Sequence, residues 1–179
     1  MCQYPTFYLL KGLKFKIPPD RLIIRNKDYI DMDKVKVKVI NKSHHPLPEY
    51  STFEAAGMDV RAYLPDGPVT LKPLQRALIP TGLYIQLPQG YECQIRPRSG
   101  LSLNYGLTIA NSPGTVDADY RGEVGIILIN LGENDFIVND GERICQMVIK
   151  QYSHVEWEPV KELDRTKRED GNFGHTGLS

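Results

Sequence analysis

An antiparallel all-β fold, built as a sandwich, jelly roll or barrel, is what this sequence predicts, together with one short helix and a polar tail. Three observations carry the prediction. Short apolar segments rich in Val, Ile, Tyr and Leu recur along the chain, each bounded by Gly, Pro, Asp or Asn. KVKVKVI (34–40) alternates strictly and sets valines on one face and lysines on the other, as a half-buried strand requires. No self-similar period of roughly 20–50 residues recurs, which removes solenoids and propellers.

The elements follow in order. Residues 1–31 have a Pro-Pro break at 18–19, a mild basic excess and no clear period, and read as an N-terminal extension. A β domain spans 32–163. It opens on MDKVKVKVI and continues through DVRAYL, VTLKP, RALIPTGLYIQLP, YECQIRPR, LTIAN, GEVGIILIN and ENDFIVNDGERICQMVIKQYSHVEW. One segment breaks the pattern: PRSGLSLNYG (97–106), where a Ser-Gly opening and leucines predict a helical turn or two. In GTVDADYRGEVGIILIN (114–130) the acidic, glycine-containing first half predicts a turn and the apolar second half a strand. Residues 164–179 are polar and glycine-rich and are expected to be a flexible tail.

Composition sets limits. The chain has 179 residues, enough for one well-packed domain and short for two. Lys and Arg number 22, as do Asp and Glu, so the net charge of zero argues against a bare electrostatic grip on nucleic acid or a membrane. The three cysteines, Cys2, Cys93 and Cys145, lack CxxC spacing and suggest neither a disulfide framework nor a zinc knuckle. A reduced, cytoplasmic protein is expected. No apolar run approaches the roughly 18 residues of a membrane span, and no secretory signal is evident.

Several clusters carry chemistry. RPRSG places two arginines and a serine before a helix start, where free N–H groups favour an anion; an arginine pair solvating a strand end is the alternative. GNFGHTG offers three glycines, a hydroxyl and one aromatic after Arg165, Lys167 and Arg168. Glycines let backbone N–H groups approach a phosphate, although a solvated terminus has the same composition. Asp59 comes after a glycine at a strand start, a placement that more often than not is simply turn chemistry. Gln146 sits inside an apolar strand, where an outward-facing glutamine is ordinary.

In this order the clusters carry more. AGMDVRA (56–62), PRSGLS (97–102), GTVDADYRGEVG (114–125), GERICQMV (141–148) and RxxxxFGHTG (168–177) resemble the five ordered motifs of the trimeric dUTP pyrophosphatases (dUTPases). The resemblance covers the chain from about Lys34 to the C-terminus. It implies a jelly-roll-like homotrimer with shared active sites, which hydrolyses dUTP to dUMP and pyrophosphate with Mg2+.

The resemblance also implies roles. In the family the third motif forms a β-hairpin that holds deoxyuridine. Asp117 matches the general base that deprotonates a water, help typically worth about 10²–10⁴-fold. Tyr120 matches the aromatic that packs on deoxyribose and leaves no room for a 2′-hydroxyl. Asn111 and the backbone at Gly114 and Gly125 match the groups that read uracil. Asp119 is expected to make structural hydrogen bonds with Arg121. Arg98, Ser99, Gly100 and Gln146 match phosphate-contacting groups, and Asp59 the aspartate that organises metal-bound waters. Mg2+ would be carried mainly by the phosphates, since it keeps several waters. In the tail, Arg168 matches the arginine that reaches the terminal phosphate, and Phe173 the aromatic that stacks over uracil. Gly174, His175 and Thr176 complete a phosphate-contacting lid. Asn172 and His175 depart from the commonest pattern, which has glycine and serine there. Two other functions fit the fold: a dCTP deaminase, which would need a catalytic glutamate near the base, and a non-enzymatic trimeric interaction module. VDADYRG and FGHTG favour dUTP.

Overall fold

The computed structural model describes Leu9–Leu10, Leu13–Lys14 and residues 34–170. It divides into two compact units, Met1–Val35 and Lys36–Ser179. In the first, β1 (Leu9–Leu10) pairs antiparallel with β2 (Leu13–Lys14), Leu10 facing Leu13.

The second unit is a mostly antiparallel β fold with unclosed sheets, a jelly-roll-like sandwich. Its largest sheet has the order β10 (Gly114–Val116), β8 (Tyr91–Pro97), β13 (Arg143–Gln151) and β4 (Met58–Arg61). A three-stranded sheet sets β11 (Ile126–Asn130) between β6 (Arg76–Ile79) and β9 (Leu107–Ile109). Two strand pairs complete it: β3 (Lys38–Asn41) with β7 (Leu83–Gln86), and β12 (Phe136–Val138) with β5 (Val69–Leu71). The short apolar segments make these strands because β-branched side chains pack well on a pleated surface. In β11 the buried residues Ile126, Leu128 and Asn130 alternate with half-buried Ile127 and Ile129. Val60, Ile79, Ile95, Leu107, Leu128 and Ile144 are core residues, and burying such a side chain contributes about 1.5–3 kcal/mol.

Asn130 is fully buried, and all its side-chain polarity is used: Nδ2 donates to the carbonyls of Leu71 and Asn134, and Oδ1 accepts from the N–H of Gly132. The expected helix is present as α1 (Ser99–Tyr105), ended by Gly106 in the left-handed region at φ 70°. A side chain on Gly106 would collide with the backbone of Gly132, so the helix end and the loop after β11 touch through two glycines.

Three details differ from the sequence expectation. Gly114–Val116 is a strand, because β8 offers it a pairing edge that local composition does not reveal. The strand alternation of KVKVKVI survives only in part: Val39 and Ile40 are both exposed. YSHVEW, expected to continue the last strand, is not one. Pairing ends at Gln151, the N–H of Tyr152 donates to Gly90, and residues 151–170 are exposed.

Candidate active site

Asp59 lies on β4 directly opposite Gln146 of β13, which in turn faces Arg96 of β8. This register is what assembles one end of the site. Gln146 Nε2 donates to Asp59 Oδ1 at 3.1 Å, while Arg98 Nη2 and Arg143 Nη1 each lie 3.2 Å from Asp59 Oδ2. Arg98 also donates from Nη1 to the carbonyl of Arg143. The first, second and fourth motifs thus meet on one carboxylate. Beside it, a cleft of about 610 Å³ is lined by Arg61, Arg98, Arg143, Leu101 and Tyr105, among others. Ser99 and Gly100 open α1 immediately after Arg98, and both are exposed.

The third motif is built differently from a simple hairpin. Its outgoing arm β10 pairs with β8, and its return arm β11 pairs with β9 and β6, so the acidic turn bridges two sheets. The turn itself is tight: the N–H of Tyr120 donates to the carbonyl of Asp117. Tyr120 folds back so that its hydroxyl donates to the carbonyl of Glu123 at 3.1 Å and its ring covers Gly122, where any side chain would collide with it. Asp117 and Asp119 are exposed. Arg121 does not bond Asp119; its guanidinium donates to the carbonyls of Ala118 and Tyr120.

Two anchors hold the return arm. Glu123 Oε1 accepts from the N–H groups of Thr81 and Gly82, at 3.0 and 2.7 Å. Buried Thr81 donates its hydroxyl to the carbonyl of Val124 at 2.6 Å. Gly114 is buried, and a Cβ there would lie 3.2 Å from Asn111 Nδ2, so the glycine lets the Asn111 amide close onto the strand. A Cβ on Gly125 would fall 2.7 Å from Leu78 Cδ1.

The site residues therefore form two groups. Val116 pairs with Cys93, five residues before Arg98 on the chain of β8. At about 3.3 Å per residue, the Asp117 turn lies on the order of 20 Å from the Asp59–Arg98–Gln146 cluster. Arg168 is exposed at the end of the described chain, and Phe173, Gly174, His175 and Thr176 lie outside the described residues. Arg143 and Glu123 were not singled out from sequence. A charge at a strand end reads as solvated, and only the contacts identify its partners.

Comparison with known proteins places the chain. The dUTPase family profile matches residues 43–177. The chain is 55% identical over 143 residues, 80% of its length and 99% of the relative's, to a deoxyuridine 5'-triphosphate nucleotidohydrolase of Finegoldia magna. It is 51% identical over 141 residues to the protein of the same name from Cytophaga hutchinsonii, covering 79% of this chain and 91% of that one. Among solved structures, the dUTPase of Staphylococcus bacteriophage 80alpha with dUPNHPP superposes at a TM-score of 0.71. It is 26% identical, over 80% of this chain and 99% of that one. A dUTPase of phage phi11 of S. aureus, described as coordinating a structural Mg(II) ion, shares the fold at a TM-score of 0.64 and 24% identity, over 73% of this chain and 99% of its own. The chain belongs to the dUTPase family. No helix among the described residues is long and apolar enough to cross a membrane.

Proposed function

We propose that this protein hydrolyses dUTP to dUMP and pyrophosphate, in the cytoplasm, at sites shared between copies of the chain in a homotrimer. The observation that carries the shared site is the separation within one chain. By strand rise along one chain, Asp117 stands on the order of 20 Å from the arginine cluster, so a general base and the phosphate-holding arginines are brought to one nucleotide more readily by two copies. A second copy bringing its arginine cluster against the Asp117 turn resolves this. The exposed run after Gln151, with Val155, Trp157 and Leu163 uncovered, supports a segment that reaches a neighbour.

In this reading the Asp117 carboxylate takes a proton from a water as its oxygen attacks the α-phosphorus. The new P–O bond forms, the bond to the α–β bridging oxygen breaks, and pyrophosphate leaves. Tyr120 packs on deoxyribose, and Asn111 with the backbone at Gly114 and Gly125 reads uracil. A fixed polar edge of this kind rejects cytosine, because a mismatch leaves buried groups unpaired. Arg98, Ser99, Gly100 and Gln146 hold the phosphates. Arg168, Phe173, Gly174, His175 and Thr176 close over the nucleotide.

The donor chemistry around Asp59 fits Mg2+ held through water. Its carboxylate is already engaged by two guanidinium groups and an amide, so direct coordination would displace them. Mg2+ retains several waters and takes few protein ligands, which leaves Asp59 to orient those waters. When bound with the nucleotide, the ion would neutralise phosphate charge.

A panel of dUTP, dCTP, dTTP and UTP, with Mg2+ present and chelated, tests the assignment. Pyrophosphate release from dUTP alone is expected; ammonia release from dCTP, or no turnover at all, would overturn it. The shared site is tested by mixing two inactive variants, Asp117→Asn and Gln146→Ala, under conditions of subunit exchange. Partial recovery is expected, and none would place each site within one chain.

A further inference from the structure

At the edge of the same cleft, which Asp140 also lines, Asp140 gathers two consecutive histidines. His44 Nε2 lies 2.9 Å from Asp140 Oδ2, and His45 Nε2 lies 3.0 Å from Asp140 Oδ1. One ligating atom from each residue can be chosen so that all three lie within 4.8 Å of one another. Successive side chains of an extended strand point to opposite faces, so two adjacent histidines converge only where the backbone turns. The turn here is braced. Asn41, at the end of β3, accepts at Oδ1 from the N–H and hydroxyl of Ser43 and donates from Nδ2 to the carbonyl of His45. Ser43 Oγ accepts from the N–H of His45. Gly82 presses against this loop so closely that a Cβ would sit 2.6 Å from the Ser43 nitrogen. On the other side the N–H of Leu64 donates to Asp140 Oδ1 at 2.7 Å.

We infer that His44, His45 and Asp140 form a binding site for a divalent transition-metal ion, zinc fitting best, which clasps the loop after β3 to the turn between β12 and β13. The donor set is two imidazole nitrogens and one carboxylate oxygen, a three-ligand arrangement that zinc completes with water. Bonds of about 2.0–2.2 Å in tetrahedral geometry set ligand atoms roughly 3.3 Å apart. The contacts of 2.9 and 3.0 Å are to different carboxylate oxygens, so the three ligand atoms, within 4.8 Å of one another, would draw in to that spacing around the ion. His44 is 62% exposed, which provides a path of entry. Imidazole ligands favour transition metals, whereas Mg2+ prefers oxygen, so this site is chemically separate from the one at the nucleotide phosphates. Gly141, next to it, accepts Arg61 Nη1 on its carbonyl at 2.6 Å, and Arg143 follows two residues on. The ion would therefore stiffen the turn that leads into the arginine cluster.

The test uses the full chain, dialysed against a chelator and titrated with zinc and, separately, magnesium chloride in a non-coordinating buffer without nucleotide. Calorimetry is expected to show one zinc per chain at micromolar affinity or tighter, no magnesium uptake, and a raised melting temperature. Cobalt in place of zinc should give the visible absorption of a tetrahedral site. His44→Gln and His45→Gln should each weaken zinc binding at least about tenfold while leaving Mg2+-supported turnover unchanged. His44 is exposed, so its variant is expected to fold even if the other does not. Absence of zinc binding to the intact chain, or binding undiminished in His44→Gln, would overturn the inference and leave the cluster as a hydrogen-bonded ion pair.

Discussion

Gln146 and Asp59 face each other in register on β13 and β4, and the amide of the first donates to the carboxylate of the second at 3.1 Å. Because Arg98 and Arg143 share the other oxygen, this one carboxylate fixes three side chains. We predict that Asp59→Ala folds, since the pairs are partly exposed and together contribute about 1–2 kcal/mol. Turnover should fall by roughly 10- to 100-fold, with a higher Mg2+ concentration needed for half-maximal rate. Steady-state kinetics across a Mg2+ series checks this; an unchanged Mg2+ requirement would count against an ordering role for Asp59.

Asp117→Asn keeps size and hydrogen-bonding capacity but cannot take up the water's proton. Turnover is expected to drop at least about 10²-fold with little change in nucleotide affinity. Near-normal turnover would move the base to Asp119.

The tail prediction rests on Arg168 and the residues after it. Deleting 164–179 should leave a folded oligomer that binds a non-hydrolysable dUTP analogue more weakly and turns over far more slowly, because contacts to the leaving pyrophosphate favour the transition state. Native-like turnover, with the oligomer verified by light scattering, would return the tail to a solvated terminus. In Phe173→Trp, stacking on uracil should quench the indole on nucleotide binding.

Acid stability should report on Asp140. The N–H of Leu64, followed by His45, lowers its carboxyl from 3.8 to about 2. A depressed folded-state value means the stabilisation is complete above the unfolded value and is lost as pH falls through the folded one. The gap in urea midpoint between the wild type and Asp140→Asn is therefore expected to narrow from about pH 4 towards pH 2. A gap that stays constant over that window would show the charge to be irrelevant.

Thiol chemistry should follow burial. Cys93 is fully buried and its thiol is pushed up to about 12, chiefly by burial and then by Glu92. Cys145 is pushed higher still by burial. Since the thiolate is the nucleophile, neither should react with a disulfide reagent at about pH 8 until denaturant is added. Peptide mapping that found either labelled in native buffer would contradict the packing.

Much of the architecture was legible because β-branched alternation and turn residues act locally: β4, β8, β11 and β13 lie where the apolar runs are, and α1 where PRSGLSLNYG predicted it. What escaped is set by partners distant in sequence. Gly114–Val116 reads as a turn until β8 supplies an edge, and YSHVEW reads as a strand although, among the described residues, strand pairing ends at Gln151. Arg143 and Glu123 look like solvated charges in one dimension; their roles appear only when Asp59 and the Thr81–Gly82 amides are brought beside them.

The contact between Gly106 and Gly132 bears on how the chain tolerates change. Helix α1 is a strut about 10 Å long, with Ser99 and Gly100 at one end and the glycine pair at the other. A methyl group added at either glycine has no space, so the strut must tilt or slide, and the displacement is delivered to the Ser99 end. A mutational scan scored by activity would then flag Gly106 and Gly132 alongside Ser99, although both sit at the opposite end of the helix. Their importance is mechanical, and a scan scored by nucleotide affinity in parallel with melting temperature would separate the two kinds of position.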